Sequence, residues 1–386
     1  MTLDRSRSVT SYDEFSGPKE LVRAGYDAIG PGYAAWAATV RSPVARYLDE
    51  LDARLADGSR VLDLGCGPGV PAARLAARHC LTCVDFSAAQ LELARGAVPD
   101  ATFVEADMTA LELPARSFDA AIALYSILHV PPDEQPPLLR RIAGWLEPGG
   151  LFLATLGVGH SPAVLDPDWL GAPMFSSSLG AQAYLELFPE SGFEVLASNL
   201  ETQPEHQVTV AFLWMLAGRR WEPSFRPLVE ADLPLLREWL RRDHVRRWFD
   251  GPETYEDVER YYLGDRSIDV LVVELDGRPV GLVQTYLVAD HPDYAALTGL
   301  GEGVAGIDLF IAEEPLLGRG LGADVIRSFV RDVVFARDGV TRCSADPDVR
   351  NRASIRAFAR VGFRASREFV DPKDGATYRL MLLDRG

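Results

Sequence analysis

Two glycine-rich segments are the first places in this 386-residue sequence where residue types and spacing indicate chemistry. The first, at 63–69, has the pattern D-x-G-x-G-x-G and follows an apolar stretch at 60–64. The second, at 317–322, has three alternating glycines between an apolar stretch and a long amphipathic segment. Glycines directly after a buried strand let the backbone turn sharply and approach a ligand without a Cβ atom in the way. Both segments therefore predict sites for polar, nucleotide-type ligands.

The first segment is one strand-to-helix turn followed by acidic residues at regular intervals. Its turn residues are Asp63, Gly65, Gly67 and Gly69. Asp85 ends the next apolar stretch, where a carboxylate can accept hydrogen bonds from both hydroxyls of a ribose. Asp107 and Met108 end the third stretch, within reach of an adenine edge. A tight turn without a ligand is the alternative for the glycines alone, and the two later positions favour a nucleotide-type ligand.

Together with Leu146-x-Pro148-Gly149-Gly150, this pattern resembles the class I S-adenosylmethionine-dependent methyltransferases over about 200 residues. The resemblance implies that the glycine loop holds the methionine part of the cofactor and that Asp63 orients the loop and the amino group. It also implies that Asp85 binds the ribose and that the turn at 107–108 binds the adenine. The competing dinucleotide signature is G-x-G-x-x-G, and the G-x-G-x-G spacing here favours the methyl donor.

His129 follows the fourth predicted strand, near the point where a methyl group is delivered in this fold. Methyl transfer from a sulfonium needs an in-line nucleophile, and proximity and desolvation supply much of the catalysis. His129 is our candidate base for an amine or hydroxyl acceptor, and a structural histidine that caps a helix is the alternative. The Asn/Asp-Pro-Pro-Tyr motif of exocyclic-nitrogen DNA methyltransferases is absent there, which favours a small-molecule acceptor.

The second glycine segment exposes successive backbone N–H groups at the start of a predicted helix, an arrangement suited to a pyrophosphate. Its residues are Leu317, Gly318, Arg319, Gly320, Leu321 and Gly322. Downstream, Asp346-Pro347-Asp348, Asn351 and Val361-Gly362-Phe363 complete the pattern. The region from about 225 to 383 resembles the GNAT acetyltransferase superfamily, and within it the aminoglycoside 6′-N-acetyltransferases.

That resemblance implies acetyl-CoA as the acyl donor, with its pyrophosphate on the 317–322 loop and its pantetheine arm near Asn351. It implies that Asp308 and Asp346 face an amino sugar. Asp293 and Asp374 fall where this family carries further acidic residues. A surface or turn position is the alternative for each of the four aspartates.

The chemistry of acetylation explains the carboxylates, because a substrate amine arrives as an ammonium and must lose a proton to become nucleophilic. Asp308 is our candidate base, directly or through water, with Asp346 as its partner. Backbone N–H groups at Phe310 and Ile311 are expected to stabilise the oxyanion. Four aromatic residues are candidates either for stacking on sugar faces or for core packing: Trp248, Phe249, Tyr261 and Tyr262.

One position departs from the family pattern. Relatives often carry a tyrosine in the helix after the CoA-binding asparagine, where it can protonate the departing thiolate. This sequence has Phe358, which has no proton to donate. The acid that protonates the thiolate is therefore not assigned.

Composition restricts the partners and the compartment. The net charge is −17, with both halves acidic, so a phosphate backbone is repelled and a small polycation is attracted. Four cysteines and the lack of an export signal predict a cytoplasmic protein, and no apolar run is long enough for a membrane span. Cys80 and Cys83 are expected to be buried thiols, and no metal site is predicted. The oligomeric state is left open.

The element pattern predicts two α/β domains. A flexible leader is expected at 1–20, a Rossmann-like seven-stranded methyltransferase domain at 21–218 with a loop at about 157–180, and a mixed α/β GNAT domain at 223–386. The leading hypothesis is a bifunctional transferase that acetylates an aminoglycoside amine and methylates a small molecule, in resistance or biosynthesis. The alternatives are a hydroxylysine-type siderophore-precursor acyltransferase, an acetyltransferase with a non-catalytic methyltransferase-like binding domain, and an rRNA methyltransferase.

Overall fold

The computed structural model describes residues 16–40, 42–205, 208–249, 262, 264 and 267–386. Its contacts divide the chain into Met1–Arg220 and Trp221–Gly386, called here the N-terminal and C-terminal units. Most of the expected leader, and Tyr261, lie outside the described residues. The first helix begins at Pro18, inside the stretch assigned to that leader. Among the described residues, no helix combines the length and apolar character that crossing a membrane requires.

The N-terminal unit alternates strands and helices, as the sequence pattern predicts. Its helices are α1 (Pro18–Ala37), α2 (Val44–Asp52), α3 (Val70–Ala73), α4 (Ala88–Ala97), α5 (Gln135–Trp145) and α6 (Ala181–Glu190). Its strands are β1 (Arg60–Leu64), β2 (Cys80–Asp85), β3 (Thr102–Glu105), β4 (Phe118–Ala123), β5 (Leu146–Gly157), β6 (Ser161–Trp169), β7 (Ala172–Ser178), β8 (Phe193–Glu205) and β9 (Val208–Arg219).

Seven of these strands form one sheet in the order β3-β2-β1-β4-β5-β9-β8, which confirms the expected seven-stranded architecture. The first five strands are parallel, and β9 is antiparallel to both β5 and β8. The strand order reverses at β1 and β4, so the loops at their carboxyl ends open a crevice there. Apolar cores cover both faces of the sheet. This topology places the first glycine segment, after β1, beside the segment that holds His129, after β4.

The expected loop at 157–180 is wrong, because β6 and β7 form a separate two-stranded hairpin. Its turn is Leu170-Gly171, both with positive φ (55° and 95°), which is the backbone of a two-residue type I′ turn. The prolines in this stretch suggested a loop, yet an edge strand tolerates proline because its outer N–H groups need no partner. The helix that follows the first glycine segment, α3, is short and ends at Ala73.

The C-terminal unit contains a second seven-stranded sheet, in the order β10-β11-β12-β13-β14-β16-β15. Its strands are β10 (Pro223–Pro227), β11 (Ile268–Leu275), β12 (Arg278–Leu287), β13 (Val304–Ile311), β14 (Arg342–Ala345), β15 (Arg364–Val370) and β16 (Thr377–Asp384). Its helices are α7 (Leu233–Leu240), α8 (Asp243–Arg246), α9 (Pro292–Thr298), α10 (Leu321–Phe329) and α11 (Arg352–Val361), and a π-helical turn (Val330–Val334) extends α10.

The pairing of β13 with β14 is the feature that opens a site in this sheet. The two parallel strands pair over only three positions, from Val304 opposite Arg342 to Gly306 opposite Ser344. On its other side β13 stays paired with β12 through Ile311. Beyond Gly306, β13 therefore has one edge that lacks β14. The loops that lead into α10 and α11 follow these two strands.

Candidate active sites of the two units

A pocket lies at the crevice of the first sheet. Its lining includes Gly65 and Gly67 of the glycine loop, Asp85 after β2, and Asp107 and Met108 after β3, as the sequence predicts. The structure therefore brings the predicted methionine, ribose and adenine positions into one cavity.

Gly65 and Gly67 have φ of 74° and 53°, a region that favours glycine. A Cβ atom at Gly65 would lie 2.4 Å from the Cβ of Ser126, which follows β4. Gly69 is different, since it is not part of the lining. A Cβ atom there would lie 3.0 Å from the Cα of Ala94, so this glycine lets α4 pack closely.

Two of the predicted aspartates are buried beside the loop. Asp85 accepts hydrogen bonds from the N–H of Gly67 (2.9 Å) and of Ser87 (2.9 Å), and burial raises its pKa against their effect. Asp63 is 3% exposed, and its Oδ2 has no hydrogen-bond partner in the described part of the chain. Burial, then the nearby Asp85 charge, raises the pKa of Asp63 to about 8. A buried carboxylate oxygen without a partner suits an ammonium group, which fits the amino group of S-adenosylmethionine.

Asp107 is held by a residue that the sequence reasoning missed. The Lys19 ammonium of α1 lies 2.7 Å from Asp107 Oδ2 and 2.6 Å from Glu134, and it donates a hydrogen bond to Thr109 (2.8 Å). Burial raises the pKa of Asp107, but the hydrogen bonds from Lys19 and Thr109 outweigh it and lower the pKa overall. Lys19 also lines the pocket. A lone lysine 88 residues from its partner carries no spacing signal in the sequence.

His129 lines the pocket with both ring nitrogens hydrogen-bonded. Its Nδ1 lies 2.7 Å from the carbonyl oxygen of Phe175, an acceptor, so Nδ1–H donates there. Its Nε2 lies 2.9 Å from the Tyr26 hydroxyl, which therefore donates to it. Burial lowers the pKa of His129 to about 4, so the ring is neutral at neutral pH. Tyr26, a residue of α1, also lines the pocket and contacts this neutral base.

In the C-terminal unit, the structure brings Asp308 of β13 and Asp346 after β14 close enough to interact. Burial, then the Asp308 charge, raises the pKa of Asp346 to about 8. Burial also raises the pKa of Asp308, whose Oδ2 accepts a hydrogen bond from Gln284 (3.1 Å). Gln284, opposite Asp308 on β12, is a neutral partner. Both carboxylates therefore lack a protein cation among the contacts described.

Two tyrosines that the sequence reasoning missed complete this acidic site. Tyr286 pairs with Gly306 across the sheet, and a Cβ atom at Gly306 would lie 2.5 Å from the tyrosine ring. Tyr294 of α9 packs edge-on against Tyr286 at 5.8 Å. Burial, with the charges of Asp308 and Asp346, raises the pKa of both tyrosines. Uncharged phenols therefore form the wall beside the two carboxyl groups.

The other predicted acceptor residues lie at the surface. Asp293 is exposed in the first turn of α9. Asp374 is exposed in the β15–β16 turn, where it accepts hydrogen bonds from the Tyr378 hydroxyl (2.5 Å) and the Ala376 N–H (2.8 Å). Burial, then Asp374, Asp348 and Asp371, raises the pKa of Tyr378. Arg350 pairs with Asp348, and the exposed Lys373 lies in the same turn, so these acidic residues have basic neighbours.

The aromatic candidates separate by burial. Trp248 is partly exposed, with the Arg247 guanidinium 5.0 Å from its ring centroid. Phe249 packs on Phe310 at 5.0 Å, and Tyr262 is 3% exposed and belongs to the core. Trp248 and Phe249 are therefore the partly exposed members of the set within the described residues.

The acetyl-CoA loop has the predicted backbone but not uniform roles. Gly318 and Gly320 have φ of 74° and 87°, and Gly320 caps the N-terminus of α10. Space is open where a Cβ atom at Gly318 would lie. Leu321 is 1% exposed and belongs to the core, and Gly322 faces Ala357 of α11. The open loop and the helix N-terminus suit a pyrophosphate.

Asn351 caps α11, because its Oδ1 accepts a hydrogen bond from the Ser354 N–H (3.1 Å). The alternation of an antiparallel ladder also divides the two predicted oxyanion donors. The N–H of Ala312 donates to Val280 on β12, so the N–H of Phe310 also points to β12. The N–H of Ile311 points to the opposite edge, which lacks β14. Only Ile311 of this pair therefore faces the open side.

Phe358 is buried in the core and packs on Phe363 at 5.0 Å. Cys83 is buried as expected, but Cys80 begins β2 and is exposed, which corrects the expectation for that thiol.

Comparison with known proteins assigns both units. A GNAT acetyltransferase domain model matches residues 228–370, and a methyltransferase domain model matches residues 61–150. The aminoglycoside N(6′)-acetyltransferase type 1 of Klebsiella pneumoniae is 32% identical over 162 residues, which are 40% of this chain and 80% of that protein. The chain belongs to the GNAT acetyltransferase family. The same polypeptide carries a methyltransferase domain, and the donors of the two domains are acetyl-CoA and S-adenosylmethionine.

Two further similarities complete the comparison. The 27-O-demethylrifamycin SV methyltransferase of Amycolatopsis mediterranei is 36% identical over 142 residues, which are 34% of this chain and 52% of that protein. A solved structure of the aminoglycoside acetyltransferase AAC(6′)-Ib with coenzyme A and kanamycin is 30% identical and covers 42% of this chain and 95% of that one, with a TM-score of 0.37.

Proposed function

We propose that the acetyltransferase domain transfers an acetyl group to an amine of an aminoglycoside, at the 6′ position, and that the methyltransferase domain methylates a small molecule. One observation carries the first part. Asp308 and Asp346 form a buried acidic pair whose described contacts include no protein cation, beside the end of β13 where β14 diverges. A polycationic substrate supplies the positive charge that such a pair needs.

Asp308 is the proposed base. Its raised pKa makes it a better proton acceptor near neutral pH than an ordinary aspartate. Asp308 would take a proton from the substrate ammonium. With acetyl-CoA bound, the freed amine would form a C–N bond to the acetyl carbon, the C–S bond would break, and CoA would leave as the thiolate. Asp346 holds the substrate and stabilises the positive charge during this transfer. The N–H of Ile311, on the open edge of β13, is the proposed donor to the oxyanion.

The acidic β15–β16 turn supports a substrate with several amines. Asp374 and Asp371 lie near Tyr378, and Asp371 also acts on the pKa of Asp346, whereas Asp348 is paired with Arg350. A hydroxylysine-type siderophore precursor carries fewer positive charges than an aminoglycoside. The extended acidity therefore favours the aminoglycoside. The Klebsiella relative, whose name specifies the N(6′) position, supports the regiochemistry.

For the methyltransferase domain, the intact pocket supports catalysis rather than a binding role alone. His129 and Tyr26 are the groups proposed to receive the proton of the methyl acceptor. Nε2 of the neutral His129 accepts a hydrogen bond from the Tyr26 hydroxyl. His129 can therefore take the hydroxyl proton of Tyr26 while Tyr26 takes the proton of the methyl acceptor. With S-adenosylmethionine bound, methyl transfer would remove the sulfonium charge while the imidazole gained a proton, so the net charge of the pocket would be unchanged.

The test is to incubate the full chain with acetyl-CoA, S-adenosylmethionine and kanamycin- or gentamicin-type aminoglycosides, and to measure product masses with each donor omitted in turn. Gain of one acetyl group that depends on acetyl-CoA supports the proposal, and fragmentation locates it at the 6′ amine. A further methyl group identifies the same molecule as the methyl acceptor. If no aminoglycoside is acetylated and a hydroxylysine-type amine is acetylated instead, the aminoglycoside assignment is overturned.

A further inference from the structure

Trp221 is the first residue of the C-terminal unit and contacts the acetyl-CoA loop in two ways. Its indole Nε1–H donates a hydrogen bond to the carbonyl oxygen of Arg319 (3.0 Å). The Arg319 guanidinium lies 5.6 Å from the indole ring centroid, within cation–π range. Arg319 is the residue between the two positive-φ glycines of the loop, so Trp221 contacts the loop between those two glycines.

The backbone of Trp221 is itself fixed. Its N–H donates a hydrogen bond to Oδ2 of Asp324 (2.9 Å), a residue of α10 that is 3% exposed. Asp324 also forms an ion pair with Arg327 on the same helix. The indole therefore reaches the loop from a position anchored on α10, the helix that the loop begins.

The hydrogen bond to Arg319 determines where the next N–H points. The carbonyl of Arg319 and the N–H of Gly320 belong to one planar trans peptide, so they point in opposite directions. Gly320 on the C-terminal side lowers the cost of rotating this peptide, because glycine occupies positive and negative φ about equally. A carbonyl held by the indole on one side leaves the Gly320 N–H turned away from Trp221, at the N-terminus of α10.

We propose that Trp221 is a positioning residue for the pyrophosphate of acetyl-CoA. It holds the Arg319–Gly320 peptide in the one orientation that presents the Gly320 N–H to the anion, while the opposite orientation would present a carbonyl oxygen. Trp221, which lies just before β10, is thus a functional part of the cofactor site. This role concerns the donor alone and does not depend on the identity of the acceptor.

The experiment compares the binding of CoA and of pantetheine, which lacks the pyrophosphate, to the full chain by calorimetry. The variant Trp221→Phe keeps an aromatic ring under Arg319 but removes the N–H donor. We expect its Kd for CoA to rise about 5- to 10-fold, the effect of losing about one hydrogen bond. Its Kd for pantetheine should stay unchanged, because pantetheine does not touch the loop peptide.

The matched control is Trp239→Phe, the same chemical change within the C-terminal unit. Trp239 is 1% exposed, and its Nε1 has no hydrogen-bond partner among the described residues. This control should lower the melting temperature without changing either Kd. Its behaviour separates a general loss of packing from an effect on the loop.

Unchanged CoA affinity in Trp221→Phe overturns the proposal, and so does an equal loss for CoA and pantetheine, which would indicate a general structural role. Circular dichroism establishes first that the variant is folded. If Trp221→Phe is not folded, Trp221→His is used instead. Its imidazole N–H can still donate a hydrogen bond, so this variant tests whether a donor at position 221 preserves CoA binding. The CoA affinity of Trp221→His is then compared with that of the loop variant Gly318→Ala. A smaller loss in Trp221→His than in Gly318→Ala supports the proposal, and a larger loss contradicts it.

Discussion

The two active sites use the same residue type in opposite ways. In the methyltransferase pocket, Asp107 is paired with Lys19, and Asp85 accepts two backbone hydrogen bonds. In the acetyltransferase domain, Asp308 and Asp346 are buried with a neutral amide and phenols around them. We propose that the carboxylates whose partners come from the protein hold a cofactor in place. Carboxylates without a protein cation require one from the substrate, so partners rather than residue type decide the role.

The two glycine loops differ as well, and this difference gives the largest expected effect. A Cβ atom at Gly65 meets Ser126 at 2.4 Å, whereas one at Gly318 meets open space, and both residues have φ of 74°. Gly65→Ala should therefore weaken S-adenosylmethionine binding by about 100-fold or more, by clash plus backbone strain. Gly318→Ala carries the strain alone and should weaken CoA binding about 10-fold. Calorimetry measures both.

The control for strain is Gly58→Ala, since Gly58 has φ of 78° in open space before β1. It should leave both affinities at the parent value. If Gly65→Ala and Gly318→Ala lose equal donor affinity, the clash at Gly65 is relieved at no cost. The two loops would then not differ in their tolerance of a Cβ atom.

Removing the proposed base gives the next largest effect. Asp308→Asn keeps the shape and the contact with Gln284 but cannot accept the substrate proton. We expect kcat for aminoglycoside acetylation to fall about 100-fold or more, the range for loss of a general base, with little change in CoA affinity. Asp338→Asn, at an exposed position, is the matched control. Steady-state kinetics with retained activity in Asp308→Asn would assign the base elsewhere.

Lys19→Gln tests whether the paired aspartate depends on its cation. The Lys19 ammonium neutralises the half-buried Asp107 and ties it to Glu134. We expect the Kd for S-adenosylmethionine to rise about 3- to 10-fold because Asp107 loses a charge-assisted hydrogen bond. Arg23→Gln removes a more exposed cation from the same helix and should have no such effect. An unchanged Kd in Lys19→Gln would make this cluster purely structural.

The smallest expected effect is on stability. Because the pKa of Asp346 is raised to about 8, the folded protein holds a proton there that the unfolded chain releases near pH 4. Between these pH values the folded state binds more protons, so this group's contribution to stability falls as pH rises. Asp346→Asn should match the parent near pH 4 and melt about 2–4 °C higher at pH 8. Asp338→Asn should show no such pH dependence, and a loss at both pH values would refute the assignment.

Much of the fold was predictable because it depends on local patterns. Alternating apolar stretches and helical segments predict the first sheet, and the glycines at 65, 67, 318 and 320 adopt the positive φ that their turns need. The hairpin at 161–178 was missed because its prolines resemble a loop in sequence. Its turn at Leu170-Gly171 includes a leucine with positive φ, which no propensity predicts.

The sequence by itself determined the two donors, because a glycine loop and the strand-end residues after it are spaced by the repeating β-α unit that carries them. Only the tertiary structure decided which partner each carboxylate receives. Lys19 reaches Asp107, and Tyr26 reaches His129, from a helix about 90 to 100 residues earlier in the chain. Asp308 and Asp346 meet because β13 and β14 are adjacent and parallel. Charge pairing depends on distances of a few ångströms, and only the folded backbone sets these distances.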